Sequence, residues 1–193
     1  MNENLQFLQA FIKNPFKVGA ITPSSPELAA EMLQGIFPDD HNIVLELGVG
    51  TGAITKFLRE VIPSRESYLG IELDRDLVKS LNSNYPDMNI IQGNAAQAYS
   101  IHKDLGLGKV RYLICCLPFV SLPKDVSDAV LAEISEFMDE GCELRLFQYA
   151  HGYFLPPAKK LRDYLKERYG KSRRSPLIIK NVPPAFTFTW STV

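Results

Sequence analysis

Ile43-Val44-Leu45-Glu46-Leu47-Gly48-Val49-Gly50-Thr51-Gly52 is an apolar, β-branched run that breaks into three alternate glycines. A helical pattern follows at once, with Ala53, Ile54, Phe57, Leu58 and Val61 at the apolar positions. Strand, glycine turn, helix is the unit that binds nucleotides in doubly wound α/β sheets. Glycines allow the tight turn, and they admit a ligand where a Cβ would collide. The start of the helix offers unpaired N–H groups. Gly48, Gly50 and Ala53 also fit the dinucleotide pattern G-x-G-x-x-G/A, so the glycines alone leave the ligand open. Glu46, two residues before the first glycine, adds an acid at the end of the strand.

Downstream the pattern repeats. Ser67–Glu72 reads as a second strand, and Glu72 stands 20 residues beyond Gly52, where a carboxylate accepts from ribose hydroxyls. Asp74 and Asp76 suit the start of a helix carrying Leu77, Val78, Leu81 and Tyr85. Asn89–Gln92 is a third strand leading into Gly93-Asn94-Ala95-Ala96, and Val110–Cys115 a fourth leading into Cys116-Leu117-Pro118-Phe119. A helix is expected over Asp125–Met138 and a fifth strand over Cys142–Tyr149, in which Leu144 and Leu146 alternate with Arg145 and Gln148. Tyr149-Ala150-His151-Gly152-Tyr153-Phe154 follows, then a basic helix over Pro157–Tyr169. Leu177–Asn181 and Phe186–Trp190 read as two strands joined through Pro183-Pro184, a connection short enough to require an antiparallel hairpin. The alternation implies an α/β fold. In such sheets ligands bind beyond the carboxyl ends of the strands.

Ahead of the glycine loop, Leu5, Leu8, Phe11 and Ile12 recur at helical spacing over residues 3–13, and Asn14-Pro15 should end that helix. Lys13 and Lys17 flank Phe16; a short apolar helix with basic flanks suits a membrane surface or a cover over a site. Gly19–Pro26 is a turn segment, with Ser25 as N-cap and Pro26 opening a second helix through Leu28, Ala29, Met32, Leu33 and Ile36. Pro38-Asp39-Asp40 is the loop before the first strand.

The 193 residues, 46% of them hydrophobic, suit a single domain over 1–193, divided into a helical N-terminal segment (1–40) and the sheet (41–193). Net charge is −1, yet nine Lys and Arg against Asp163 and Glu167 make the stretch from Pro156 onward strongly basic. Cys115, Cys116 and Cys142 lack metal-site spacing, so no metal is expected, and they suit a reducing, cytoplasmic compartment. No secretory leader is read at the N-terminus, and no apolar run approaches the length of a membrane span.

The Glu46–Gly52 stretch resembles motif I, (D/E)-x-G-x-G-x-G, of class I S-adenosylmethionine-dependent methyltransferases. That resemblance implies a Rossmann-like seven-stranded sheet in the order 3-2-1-4-5-7-6, with S-adenosylmethionine as cofactor and S-adenosylhomocysteine as product. It places Glu46 near the methionine ammonium and lays Gly48, Gly50, Thr51 and Gly52 along the cofactor. It also places Glu72 and Leu73 at the ribose, Asn94 and Ala95 at the adenine, and Cys116 and Leu117 near the methyl group. Cys116-Leu117-Pro118-Phe119 resembles the N-L-P-Y of ribosomal RNA adenine dimethylases, with cysteine where the base-binding asparagine stands.

A resemblance to bacterial phospholipid N-methyltransferases, which act on phosphatidylethanolamine, covers nearly the whole chain. It rests on Phe7-Leu8 through Asn14-Pro15, Val18–Ser25, the Leu45–Gly52 loop, Cys116-Leu117-Pro118-Phe119-Val120-Ser121-Leu122-Pro123 and Asn181-Val182-Pro183-Pro184-Ala185. It implies an N-terminal helix that contacts the bilayer. Phe119, Tyr149 and His151 are then the catalytic candidates, Phe119 as an aromatic wall and Tyr149 or His151 as a proton relay. The expected partners are a phospholipid and an anionic membrane surface, met through residues 3–17 and the basic 157–174 segment, with the chain held peripherally on the inner face of the membrane. No DNA partner is expected. RNA or a small molecule is the alternative acceptor.

Overall fold

The computed structural model describes residues 24–39 and 41–191. The helix expected at 3–13, and with it the membrane-contact segment 3–17, lies outside them. Seven strands form one sheet: β1 (Asn42–Leu47), β2 (Tyr68–Glu72), β3 (Ile90–Gln92), β4 (Lys109–Cys115), β5 (Glu143–Tyr149), β6 (Arg173–Arg174) and β7 (Ala185–Trp190). Their order is β3-β2-β1-β4-β5-β7-β6, as the resemblance implied. The first five strands run parallel, and β7 lies antiparallel between β5 and β6. All of β2 and all but the first residue of β1 are buried, because helices cover both faces of a parallel sheet.

The helices divide between those faces. Helices α1 (Pro26–Leu33), α2 (Thr55–Leu58) and α3 (Arg75–Asn84) pack Leu28, Met32, Leu58 and Leu81 against Val44, Tyr68 and Ile114. Helices α4 (Ala98–Leu105), α5 (Lys124–Asp139) and α6 (Pro156–Tyr169) cover the opposite face, where Ile134, Phe137, Leu161 and Leu165 meet Leu45, Leu113, Leu146 and Phe188. Ser25 caps α1 with its hydroxyl, and Asp74 caps α3 with two backbone N–H bonds, both in keeping with the sequence. The polar residues that alternate along β5 are buried too. Arg145 pairs with Glu143 and donates to Met32 O at the end of α1, while Gln148 Nε2 reaches Ala158 O in α6.

Three elements differ from the sequence reading. The helix after the glycines is a single turn, Thr55–Leu58, so it begins three residues beyond Gly52 and leaves Val61 exposed. Helix α4 is new: its inward residues include His102, which reads as polar but is 4% exposed, bonded to Gly108 O at 2.8 Å and packed edge-on against Phe137. The sixth strand is Arg173–Arg174 and not Leu177–Asn181. After Arg174 the side-chain oxygen of Ser175 accepts from Thr187 N, Pro176 brings no N–H, and only Ile178 bridges back to Ala185. Leu177 and Ile179 therefore stay exposed. Asn181 turns inward instead, accepting from Ser25 N at 2.9 Å and donating to Pro183 O at 2.7 Å, which ties the tip of the hairpin to the head of α1.

Inside β2, Gly70 lies opposite Glu46 in the β1 register. A Cβ there would stand 2.5 Å from the Tyr68 hydroxyl and 2.9 Å from Val49 Cγ2. The missing side chain is the slot through which the Tyr68 ring reaches across the sheet. Substituting Gly70→Ala should lower unfolding stability by about 1–3 kcal/mol, read as a fall in the urea midpoint with an unchanged m-value.

Candidate active site

The carboxyl ends of β1, β2, β4 and β5 gather the residues singled out from sequence onto one edge of the sheet. The loop after β1 turns through Gly48, Gly50 and Gly52 at φ of 77°, 60° and 79°, a region that costs a side chain strain. The loop glycines differ in what surrounds them. A Cβ on Gly48 would strike Leu117, and one on Gly52 would strike Leu81 and Tyr85. At Gly50 nothing lies nearer than Gly48 O, at 4.0 Å. Gly50 thus presents bare backbone to open space, beside the exposed Thr51.

Two carboxylates stand under this loop. Glu72, 2% exposed, accepts from Gly50 N at 2.8 Å through one oxygen and from Asp74 N at 2.9 Å through the other. It couples the glycine loop to the head of α3. Burial raises its pKa, and the backbone N–H bonds oppose that. Glu46 has no exposed surface at all. Its Oε2 accepts from the Tyr68 hydroxyl at 2.6 Å and from Thr55 Oγ1 at 2.9 Å. Its Oε1 is buried with no hydrogen-bond partner among the described residues. Loss of hydration pushes Glu46 up to about 7, against the two hydroxyl bonds, and the neighbouring Glu72 charge adds to the rise. Tyr68 and Thr55 went unnoticed in the sequence. The signal for Tyr68 was a glycine in mid-strand two residues after a tyrosine, the mark of a close approach.

On the cofactor side, Asn94 turns its Oδ1 onto Ala96 N at 3.0 Å, capping a short 3-10 turn that contains Ala95. The carbonyl oxygen expected at the adenine is thus already bonded once, and the amide nitrogen is its other polar group. Leu73 O accepts from Gln92 Nε2 at 3.5 Å. Cys116 N bonds Leu47 O at 2.9 Å, which sets Cys116 and Leu117 directly over the end of β1. Burial and the Glu46 charge hold the Cys116 thiol well above its usual pKa, so it is neutral.

On the acceptor side the three catalytic candidates part company. Phe119 is only 5% exposed and packs with the core residues on the α5 face. Tyr149 and His151 do come together: their rings stack 5.7 Å apart at 9°. Burial, with the Cys116 thiol beside it, pushes the Tyr149 phenol up to about 12, which keeps it protonated at neutral pH. His151 is exposed at the rim. Among the described residues there is no group of His, Cys, Asp or Glu that could hold a metal ion, and no helix is long and apolar enough to cross a membrane.

Residues 2–99 match the family model of protein-L-isoaspartate(D-aspartate) O-methyltransferases. The chain is 26% identical over 129 residues to an ornithine lipid N-methyltransferase of Singulisphaera acidiphila, an alignment covering 65% of this chain and 67% of that protein. It is 30% identical over 109 residues to ribosomal RNA small subunit methyltransferase A of Cupriavidus metallidurans, covering 56% of this chain and only 36% of the relative's length. Among solved structures, the magnesium protoporphyrin IX methyltransferase of Synechocystis with bound SAM superposes with a TM-score of 0.66 at 12% identity, covering 100% of this chain and 98% of that one. A SAM-dependent methyltransferase of Anabaena variabilis gives 0.63 at 13% identity, covering 99% and 95%. At these identities the two structures speak to the fold.

The raised pKa of Glu46 is also a statement about stability. The folded state holds the proton more tightly than the unfolded chain. The resulting stabilisation is full below the ordinary value of 4.5 and is lost as pH rises through about 7. Unfolding free energy should therefore drop between pH 5 and pH 8 by an amount on the order of 3 kcal/mol. Glu46→Gln, which keeps an acceptor for both hydroxyls, should flatten that drop and match or exceed the wild type at pH 8. Urea titrations of both proteins across this range check it.

Proposed function

The chain belongs to the methyltransferase family described as protein-L-isoaspartate(D-aspartate) O-methyltransferase and is an S-adenosylmethionine-dependent methyltransferase; from that premise we propose that its acceptor is the amine of a phospholipid headgroup, with phosphatidylethanolamine as the substrate. The family match ends at residue 99. It therefore spans the glycine loop, Glu72 and Asn94, and stops short of Cys116–Phe119 and Tyr149–Phe154. The cofactor half accounts for the family, and the acceptor half is free to differ.

The residues present suit the cofactor. S-adenosylmethionine, when bound, supplies an electrophilic methyl group on a sulfonium. Glu72 is an acceptor-only carboxylate, suited to a vicinal diol. Gly50 offers an approach without a Cβ. The unpartnered Oε1 of Glu46 is a negative end in a dry setting, suited to an ammonium. Leu117 covers Gly48 and closes the loop from above.

The observation that carries the lipid reading is apolar surface at the acceptor edge. The turn after β5 exposes Phe154 by 86%, and the hairpin tip before β7 exposes Ile179 by 71% and Val182 by 65%. Both segments lie beyond the same row of the sheet, Tyr149–Ala185–Ile178, and Ala150 N bonds Pro184 O at 2.7 Å to hold them together. Apolar side chains projecting past a site rim suit an acceptor presented at a bilayer. The ornithine lipid relative points the same way.

An amine attacks only as the free base, and an alkylammonium has a pKa of roughly 10. Transfer from water to the apolar edge lowers that value. Tyr149, held neutral, receives or passes a hydrogen bond without adding charge. His151, stacked on it and open to solvent, takes the proton outward. Positioning of the two reactants supplies most of the acceleration.

Incubation with methyl-labelled S-adenosylmethionine should place label in phosphatidylethanolamine liposomes and not in RNA tested in parallel. Label in RNA alone would overturn the reading. His151→Ala should lower kcat on the lipid by about 10²-fold, with partial recovery on adding imidazole, while S-adenosylhomocysteine affinity stays the same.

A further inference from the structure

Arg162 of α6 and Arg174 of β6 converge on one ring. The Arg162 guanidinium carbon lies 3.9 Å from the Tyr153 centroid, and that of Arg174 lies 5.7 Å from it and 5.0 Å from Phe186. Among the described residues each guanidinium has one neutral hydrogen-bond acceptor, Gln148 Oε1 for Arg162 and the Tyr153 hydroxyl, at 3.1 Å, for Arg174. Among the described residues neither has a carboxylate in ion-pair range. The acid next in sequence, Asp163, is taken by Lys159 at 2.5 Å, and Arg173 is taken by Glu31 at 3.2 Å.

Bringing two like charges together over an aromatic cluster costs free energy, and partial burial of one of them adds to it. The pKa of Arg162 is lowered by burial; Tyr153 and the Asp163 charge oppose that, and the Arg174 charge adds the smallest contribution to the fall. An arginine pair left with most of its N–H donors unengaged matches a tetrahedral oxyanion, which accepts from both forks at once and cancels the repulsion.

We propose that Arg162 and Arg174, braced by Tyr153, form a binding site for a phosphoryl anion on the α6 face of the sheet, distinct from the methyl-transfer site. The surroundings favour a phosphodiester of a glycerophospholipid over RNA. Phe154, 86% exposed, packs edge-on against Tyr153 at 4.9 Å, and Leu155 beside it is 44% exposed. A phosphate site bordered by unsupported apolar side chains suits a headgroup whose acyl chains lie alongside. Anion binding by the arginine pair needs no methyl donor and no particular acceptor, while the choice of a lipid as its source shares Phe154 with the acceptor edge and rests on that reading.

Thermal unfolding of the full chain tests it, at matched ionic strength, with inorganic phosphate, with short-chain phosphatidylglycerol below its micellar concentration, and with a short RNA. Short-chain phosphatidylglycerol should raise the midpoint by several degrees at saturating concentration. A comparable rise with inorganic phosphate would identify the anion alone as what is bound, and a much smaller one would identify the lipid as its source. Arg174→Gln, at an exposed position, should abolish either rise, each read against that variant's own unliganded midpoint. Arg174→Lys should keep part of it. No rise with either phosphate compound, a rise preserved in Arg174→Gln, or a response to RNA alone would each overturn the proposal.

Discussion

A carboxyl group with no exposed surface sits where β1 enters the glycine loop, and much of the cofactor side is arranged to tolerate it. Burying an ionised acid is costly unless donors meet it. Two donors do, the hydroxyls of Tyr68 and Thr55, and both reach the same oxygen. Tyr68 reaches it only because position 70 has no side chain. Thr55 reaches it only because the helix after the loop begins there. One acid thereby ties β2, the loop and α2 into a single rigid unit. Its other oxygen has no partner among the described residues, an expense that folding alone does not explain.

Glu72 completes the arrangement from the neighbouring strand. It donates no hydrogen bond and accepts two from backbone N–H groups, one in the glycine loop and one at the head of α3. The loop that must approach a ligand is thus held by side chains from both strands, and not by its own glycines, which are conformationally permissive. The proximity of the two acids raises Glu46 further. A cation arriving between them lowers the cost of both, so the same charges favour a positively charged cofactor.

The acceptor edge follows a different logic. Polar groups there are few, and the chain exposes apolar side chains on two projecting turns. Asn181, buried at 1%, anchors one of these turns to the head of α1. Rigid support under exposed apolar tips is the opposite of what folding by burial produces, and it indicates a surface kept for contact.

Much of this was legible in the sequence. Apolar runs ending at Leu47, Glu72, Gln92, Cys115 and Tyr149 marked five strands, because a strand buried on both faces is mostly apolar along its length. Alternate glycines after one of them marked the ligand loop, because that turn needs positive φ. Helix α4 was hidden, since the histidine on its inner side is satisfied only by Gly108 O, a partner the local pattern does not reveal. The sixth strand was misplaced by several residues, since Ser175 and Asn181 spend their side chains on distant backbone. The sequence could not show that Phe119 is 5% exposed among core residues, because that burial comes from elements distant in the chain. Sequence by itself determined the first five strands, most of the helices and the glycine turn, because periodicity and turn chemistry are local, while the strand order came from the resemblance. Only the tertiary structure decided that Glu46 is buried and half-satisfied, and that two arginines share one ring with no ion pair among the described residues. Each of those depends on residues far apart in the chain being brought within a few ångströms, which no local pattern encodes.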